Sequence, residues 1–212
     1  MAMKASPTTI DHLVYATSDL QDAIKRLKIL LGVSAAIGGQ HPKWRTQNAL
    51  ISLGPQTYLE IMGPDNTPPD PQSRRPFGLD GLATPRLVTW VVRGNDLQET
   101  VAIAWREGLD LGEIQPGSRT KPDGSVLRWK MTDLAKDRKG GVVPYFIDWG
   151  DTPHPAAGAP VGCRLQELRI FHPEAERVRY LLSKLGLDQK VEKGAVALEA
   201  TIRSPNGRIV LR

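Results

Sequence analysis

The hydrophobic pattern switches period inside the first 32 residues. Residues 10–17 alternate, with Ile10, His12 and Val14 on one face and Asp11, Leu13 and Tyr15 on the other, which predicts a strand. Both faces carry apolar residues, so the strand is expected to meet a helix on one side and a core or pocket on the other. From Leu20 the positions Leu20, Ala23, Ile24, Leu27, Leu30 and Leu31 recur at helical spacing. Ser18 fits the N-cap, Gln21 completes a capping-box pattern, and Gly32 can end the helix. Further strands are predicted at residues 34–38, 45–53 and 56–62, the last two joined by a Gly54-Pro55 turn. Residues 8–63 therefore read β-α-β-β-β.

Residues 64–85 are rich in proline and show no period. They predict a connecting loop, either a passive spacer or a flap over a pocket. Residues 86–150 repeat the first order: a strand at 86–93, a cap at Asn95, a stripe of Leu97, Val101, Ala104 and Trp105 closed by Gly108, then strands at 111–118, 126–132 and 142–149. Laying Asp19-Leu20 over Asp96-Leu97 aligns the two strand–helix junctions without a gap. A second proline-rich connection, residues 151–162, leads into a shorter third unit, residues 163–212. Its first strand, 163–171, slips in alternation between Leu165 and Leu168, which predicts a bulge. A helix with Ala175, Val178, Leu182 and Leu185 follows, then strands at 195–203 and 208–211. The fold class is α+β, built from repeated β-α-β-β-β modules with a shorter third one.

Composition narrows the function. With 40% hydrophobic and 24% charged residues, the 212-residue chain has globular proportions and can bury a sizeable core. The net charge of +5 comes from basic residues in groups of two or three, without interleaved aromatics. That argues against nucleic-acid binding and is compatible with a preference for anionic small molecules. Cys163 is the sole cysteine, so neither an intrachain disulfide nor a Cys-rich zinc site can form, and a buried inert thiol is expected. No apolar run is long enough for a signal peptide or a membrane span. A soluble, cytoplasmic protein is the expectation.

Four stretches, IDHLVYATSDLQDAI, RTQNALISLGPQTYLEIMGPD, RLVTWVVRGNDLQETVA and VVPYFIDWGDTPHP, resemble in order and spacing the glyoxalase-like domain of the vicinal-oxygen-chelate superfamily. The resemblance covers most of the chain up to Pro155, and the third unit is similar to the C-terminal part of the same family. It implies paired modules whose curled mixed sheets form a cup-shaped pocket for a small-molecule ligand. In metal-dependent members each module offers one ligand from its first strand and one from its last. Such members isomerise hemithioacetals, cleave aromatic rings, epimerise or transfer thiols; other relatives only bind and sequester drugs.

The resemblance puts His12 at the first-strand ligand position and Glu60 at the fourth-strand position. Together they would suit a divalent ion such as Zn, Ni, Fe or Mn, and Glu60 is also the candidate catalytic residue. Read from the residues alone, His12 can equally be a satisfied core histidine, and Glu60 a core carboxylate bonded to His12 or Arg45. The second module offers Thr89 for His12 and Ile147 for Glu60, and the third unit only Gln166, short of the usual three protein ligands. This counts against extradiol cleavage and glyoxalase I activity. His41 and His154, each preceding a proline, either complete the site or sit on surface loops; His172 is expected at a cap or the surface.

Candidate substrate contacts are Thr46 and Asn48, Tyr58, an aromatic wall of Trp90 and Trp149, Arg128 as an anion anchor, and His154. The expected function is that of a glyoxalase-like small-molecule enzyme of lyase or isomerase type, acting on a carbonyl or oxyanion substrate with a divalent metal as its cofactor. The alternative is a non-catalytic binding or sequestration protein on the same fold. A third unit with no internal partner is expected to pack on its own chain or across a homodimer interface.

Overall fold

Neither of the first two units can bury both faces of a curled sheet alone, and they close on each other into an eight-stranded barrel. The computed structural model describes residues 9–68 and 74–212. The first unit comprises Ile10–Ala16 (β1), Leu20–Leu31 (α1), Ala36–His41 (β2), Thr46–Gly54 (β3) and Thr57–Pro64 (β4). The second comprises Arg86–Arg93 (β5), Leu97–Arg106 (α2), Ile114–Thr120 (β6), Val126–Thr132 (β7) and Tyr145–Asp148 (β8). The barrel order is β1-β4-β3-β2-β6-β7-β8-β5, with β4 parallel to β1 and β8 parallel to β5.

The two helices begin one residue later than the cap patterns suggest. Asp19 caps α1 through the Asp22 N–H, and Asp96 caps α2 through the Glu99 N–H, in place of Ser18 and Asn95. A carboxylate is a stronger acceptor there and also suits the positive end of the helix dipole. Trp105 departs from the expected stripe: it is 69% exposed on the outer face of α2.

Strand alternation sorts the apolar residues into two cores. Leu13, Leu59, Ile61, Ile51, Trp90 and Val92 face outward, where α1 lays Leu20, Ala23, Leu27 and Leu31 against them. Each such leucine contributes about 2 kcal/mol by burial. Val14, Met62, Val91, Trp129, Met131, Ile147 and Trp149 face inward and line the cup. The loop after β4 joins this inner core through Leu79 and Leu82, with Phe77 beside them; residues 69–73 of the loop lie outside the described residues.

The modules meet at two unequal seams. β1 and β5 pair antiparallel from Ile10–Val92 to Ala16–Arg86. β2 and β6 pair only at Gln40–Thr120, beside Gly39. There φ is +142°, and a Cβ would stand 2.0 Å from the Thr120 carbonyl oxygen, so glycine alone lets the strands approach.

The third unit contains Arg164–His172 (β9), Ala175–Lys184 (α3), Lys190–Lys193 (β10), Ala197–Ser204 (β11) and Gly207–Leu211 (β12). Its element order repeats the modules, but its pairing does not. The first strand of a barrel module runs beside the fourth, whereas β9 lies between β10 and β11 in an open sheet ordered β10-β9-β11-β12. The expected bulge is present, since Leu165 and Glu167 pair with consecutive residues of β11 and Gln166 is left over. This sheet packs on the outside of its own barrel, with Leu168, Ile170, Leu198, Ala200 and Ile202 joining the outer core.

Candidate functional site

Asp11 and His12 come together because β1 bulges. Ile10 pairs with Val92 and His12 with Val91, so Asp11 is an extra residue between them and strict alternation fails. The fully buried Asp11 carboxylate places Oδ1 2.8 Å from His12 Nδ1. Its Oδ2 accepts from the Trp149 indole at 3.1 Å and the Arg93 guanidinium at 3.1 Å, and lies 3.0 Å from His154 Nε2. His154 Nδ1 accepts from the Ala156 N–H, so the proton belongs on Nε2, pointing at Asp11. Burial opposes ionisation of Asp11, but the hydrogen bonds from His12 and His154 and their charges outweigh it and hold the carboxyl well below the usual range.

With Nδ1 directed to Asp11, His12 turns Nε2 into the cup, 3.5 Å from Glu60 Oε2. Tyr58, paired with His12 across β1 and β4, stacks on the imidazole at 4.6 Å between ring centroids. Glu60 Oε1 accepts a 2.5 Å hydrogen bond from Asn48 Nδ2. The Asn48 Oδ1 in turn accepts from Arg119 at 3.3 Å. His41 reaches the same carboxylate, its Nε2 3.9 Å from Glu60 Oε1, while Thr46 Oγ1 lies 3.0 Å from its Nδ1. Burial lowers the His41 pKa to about 4, against the pull of the Glu60 charge and with help from Arg119 and His12. Burial, with the charges of Glu60 and Asp11, raises the Tyr58 phenol well above its ordinary value.

His12, His41, Tyr58, Glu60 and Arg119 line one narrow cavity of about 30 Å³ whose remaining walls include Trp44, Phe77, Trp129, Met131 and Trp149. Residues 151–162 cover one end, where Ala156 and Ala159 pack on Leu50 and Tyr58.

Several sequence candidates meet here and others do not. His12, Tyr58, Glu60 and Trp149 line the cavity. Thr46 and Asn48 stand behind it, fixing His41 and Glu60, and His154 stands behind it on Asp11. Trp90 is not a wall of the cup: it faces the outer core and donates its indole N–H to the Val142 carbonyl, because it alternates with the inward Val91. Arg128 is exposed on an outer groove beside Trp129 and Trp149 and does not enter the cavity. Gln166 is exposed on the separate sheet. Sequence reasoning missed Asp11 and Arg119. A charged residue on an otherwise apolar strand was the available signal for Asp11, but β1 alternation put it on the wrong face.

The donor set does not fit a divalent ion. Among the described residues no group of three or more His, Cys, Asp or Glu side chains is arranged to hold one. The two imidazoles approach different oxygens of Glu60, one of them already bonded to Asn48. The second module brings no further donor. Thr89 donates its hydroxyl to the Gly141 carbonyl. Val14 pairs with Glu60 and Val91 with Tyr145, so strand register gives Tyr145, rather than Ile147, as the counterpart of Glu60.

Residues 10–186 match the family described as "Glyoxalase-like domain". The chain belongs to the glyoxalase-like domain family. Among solved structures similar to this family member is a hypothetical protein from Staphylococcus aureus, at 13% identity and a TM-score of 0.66, covering 89% of this chain and 87% of that one. Methylmalonyl-CoA epimerase from Mycobacterium tuberculosis is similar at 21% identity and a TM-score of 0.46, over 70% of this chain and 93% of its own. The Streptomyces coelicolor epimerase, solved with 2-nitronate-propionyl-CoA, is similar at 16% identity and a TM-score of 0.47, over 71% and 100%. No curated protein matches the sequence. Among the described residues no helix is long and apolar enough to cross a membrane.

Proposed function

We propose that this glyoxalase-like protein is a small-molecule enzyme of the isomerase or lyase type, moving a proton at a carbon next to a carbonyl or oxyanion group. The observation that carries this reading is the chain Asp11–His12–Glu60 inside an apolar cup. Glu60 is the candidate base: its carboxylate faces the cavity, and Asn48 holds its orientation. His12, aligned by Asp11 as a buried carboxylate aligns an imidazole in a catalytic triad, stores the proton and returns it to the substrate carbon or oxygen. The apolar walls exclude water and strengthen each of these electrostatic contacts.

The test is solvent deuterium exchange, followed by NMR, in a panel of 2-oxo acids, 2-hydroxy acids, thioesters and hemithioacetals. Exchange catalysed by the wild type and abolished in Glu60→Gln is the expected result. Absence of exchange across the panel, or exchange undiminished in Glu60→Gln, sinks the reading. Stoichiometric metal in the wild type that is lost in His12→Ala would overturn the metal-free form of this reading.

The second module, with Thr89 and Tyr145 where the first has His12 and Glu60, favours a second reading, ligand sequestration without turnover. It predicts ligand-induced thermal stabilisation with no exchange at any position.

A further inference from the structure

One buried cation inside the cup has no ion pair among the described residues. Arg119 is 4% exposed and lines the same cavity as Glu60 and His41. One Nη donates to the Asn48 amide oxygen at 3.3 Å, and the buried Nε–H has no partner among the described residues. The other buried arginines are treated differently. Arg75 is paired with Asp65 and Asp80, and Arg138, which also has an unpartnered Nε and no ion pair among the described residues, donates to three carbonyls, those of Asp110, Leu111 and Asp133. A buried guanidinium with so little compensation is costly and is normally found paired.

Arg119 is not simply the counter-charge of Glu60. Asn48 stands between them, accepting from the guanidinium through Oδ1 and donating to the carboxylate through Nδ2. An arginine serving only to neutralise Glu60 would direct a nitrogen to it, as a guanidinium fork matches a carboxylate directly. The chain makes room for the indirect arrangement at Gly38, where a Cβ would meet Asn48 Oδ1 at 2.3 Å and the Arg119 Nη at 2.8 Å. The guanidinium is therefore held beside the cavity through Asn48, in space that a side chain at position 38 would fill. Around it the cavity is aromatic and apolar, with Trp44, Trp129 and Trp149 in its wall.

We propose that Arg119 is the anion anchor of the cup, and that the ligand is a small organic acid with an apolar or aryl body. The carboxylate takes the guanidinium, and the body parts the tryptophans, since the closed cavity is only about 30 Å³. This rests on the reading of the cup as a small-molecule site, and it holds whether or not proton transfer follows binding. It also moves the anchor inward from the exposed Arg128.

Calorimetric titration of the full-length protein with phenylacetate, 3-phenylpropionate, inorganic phosphate and the uncharged phenylacetamide tests it. The acids should bind, and phenylacetamide should bind about 30-fold more weakly or worse, as expected for losing a charge-assisted pair. Arg119→Met should lose acid binding and Arg119→Lys should retain part of it. Glu60→Gln should bind the acids at least as well as wild type, so a failure of the proton-transfer reading would leave this result standing. Three outcomes overturn the proposal: no acid binds the wild type, phosphate alone binds, or phenylacetamide binds as well as phenylacetate. Undiminished acid binding by a folded Arg119→Met does so too. If Arg119→Met does not fold, the acid-against-amide comparison on the wild type decides.

Discussion

Asp11 and His12 are consecutive in a β-strand yet meet side chain to side chain, Oδ1 to Nδ1 at 2.8 Å. A regular strand would send them to opposite faces; the extra residue in β1 permits the contact. The same carboxylate bonds Arg93 and Trp149 from the second module and His154 from the connection that follows it.

Asp11→Asn should therefore affect stability and chemistry together. Removing the charge leaves Arg93 and the two imidazoles without their shared anion, and about 3 kcal/mol of stability should be lost. The amide can also hold His12 in the wrong tautomer, so proton exchange should fall on the order of 100-fold or more. Urea denaturation and the exchange assay on the same preparation separate the two effects. An unchanged unfolding midpoint would contradict the role given to Asp11.

Acid should weaken the fold in two stages. Folding holds His41 neutral down to about pH 4, whereas the unfolded chain binds that proton near its ordinary 6.5. The unfolded state gains protons first, so stability is full above 6.5 and falls as pH drops toward 4, by about 3 kcal/mol for such a shift. Asp11 acts in the same direction lower down. Its depressed pKa stabilises the fold above the usual carboxylate range and is lost as pH falls through the folded value. Chemical denaturation at pH 7, 5.5 and 4 should show the first stage, and His41→Gln should flatten it.

Gly38→Ala should cost about 1–3 kcal/mol, because the new methyl overlaps Asn48 and Arg119 in a closed core. The cost should be reduced in the double variant with Asn48→Ala, which removes the atom it meets most closely. Equal effects in both backgrounds would mean that the strain lies elsewhere.

Dialysis against EDTA should leave the melting temperature and the exchange rate unchanged, since His12, His41 and Glu60 are arranged around one another and not as a metal cage. Metal analysis before and after dialysis, with activity at each stage, checks it. Loss of exchange that Zn, Ni, Fe or Mn restores would reverse the conclusion.

Much of the fold was legible in the chain because period, caps and turns agree locally. β5 and β7 have the bounds that alternation predicts, and all three helices stand where their stripes do. β10 was missed because Lys190–Lys193 is short and polar and is held by pairing with β9, a non-local interaction. In the site, Tyr58, Glu60 and Met62 share a face as alternation requires. Asp11 was hidden because a bulge is decided by strand pairing and not by the strand's own residues. Trp90 and Arg128 show a related limit: composition suggests an aromatic wall and an anchor, but one step in register sends each to the other side of the sheet. The anchor position falls to Arg119, which alternates inward with Gly117 on β6.

The unequal seams give the barrel a built-in direction of breathing. Opening along β1–β5 would break a full ladder and the Asp11 contacts, whereas opening along β2–β6 gives up the single Gln40–Thr120 pairing. Amide protons at the second seam should be among the first in the barrel to exchange with heavy water. His41 ends one of these strands and Arg119 stands next to Thr120 on the other. A fluctuation there would part the wall that carries both side chains while leaving the Asp11–His12 pair in register.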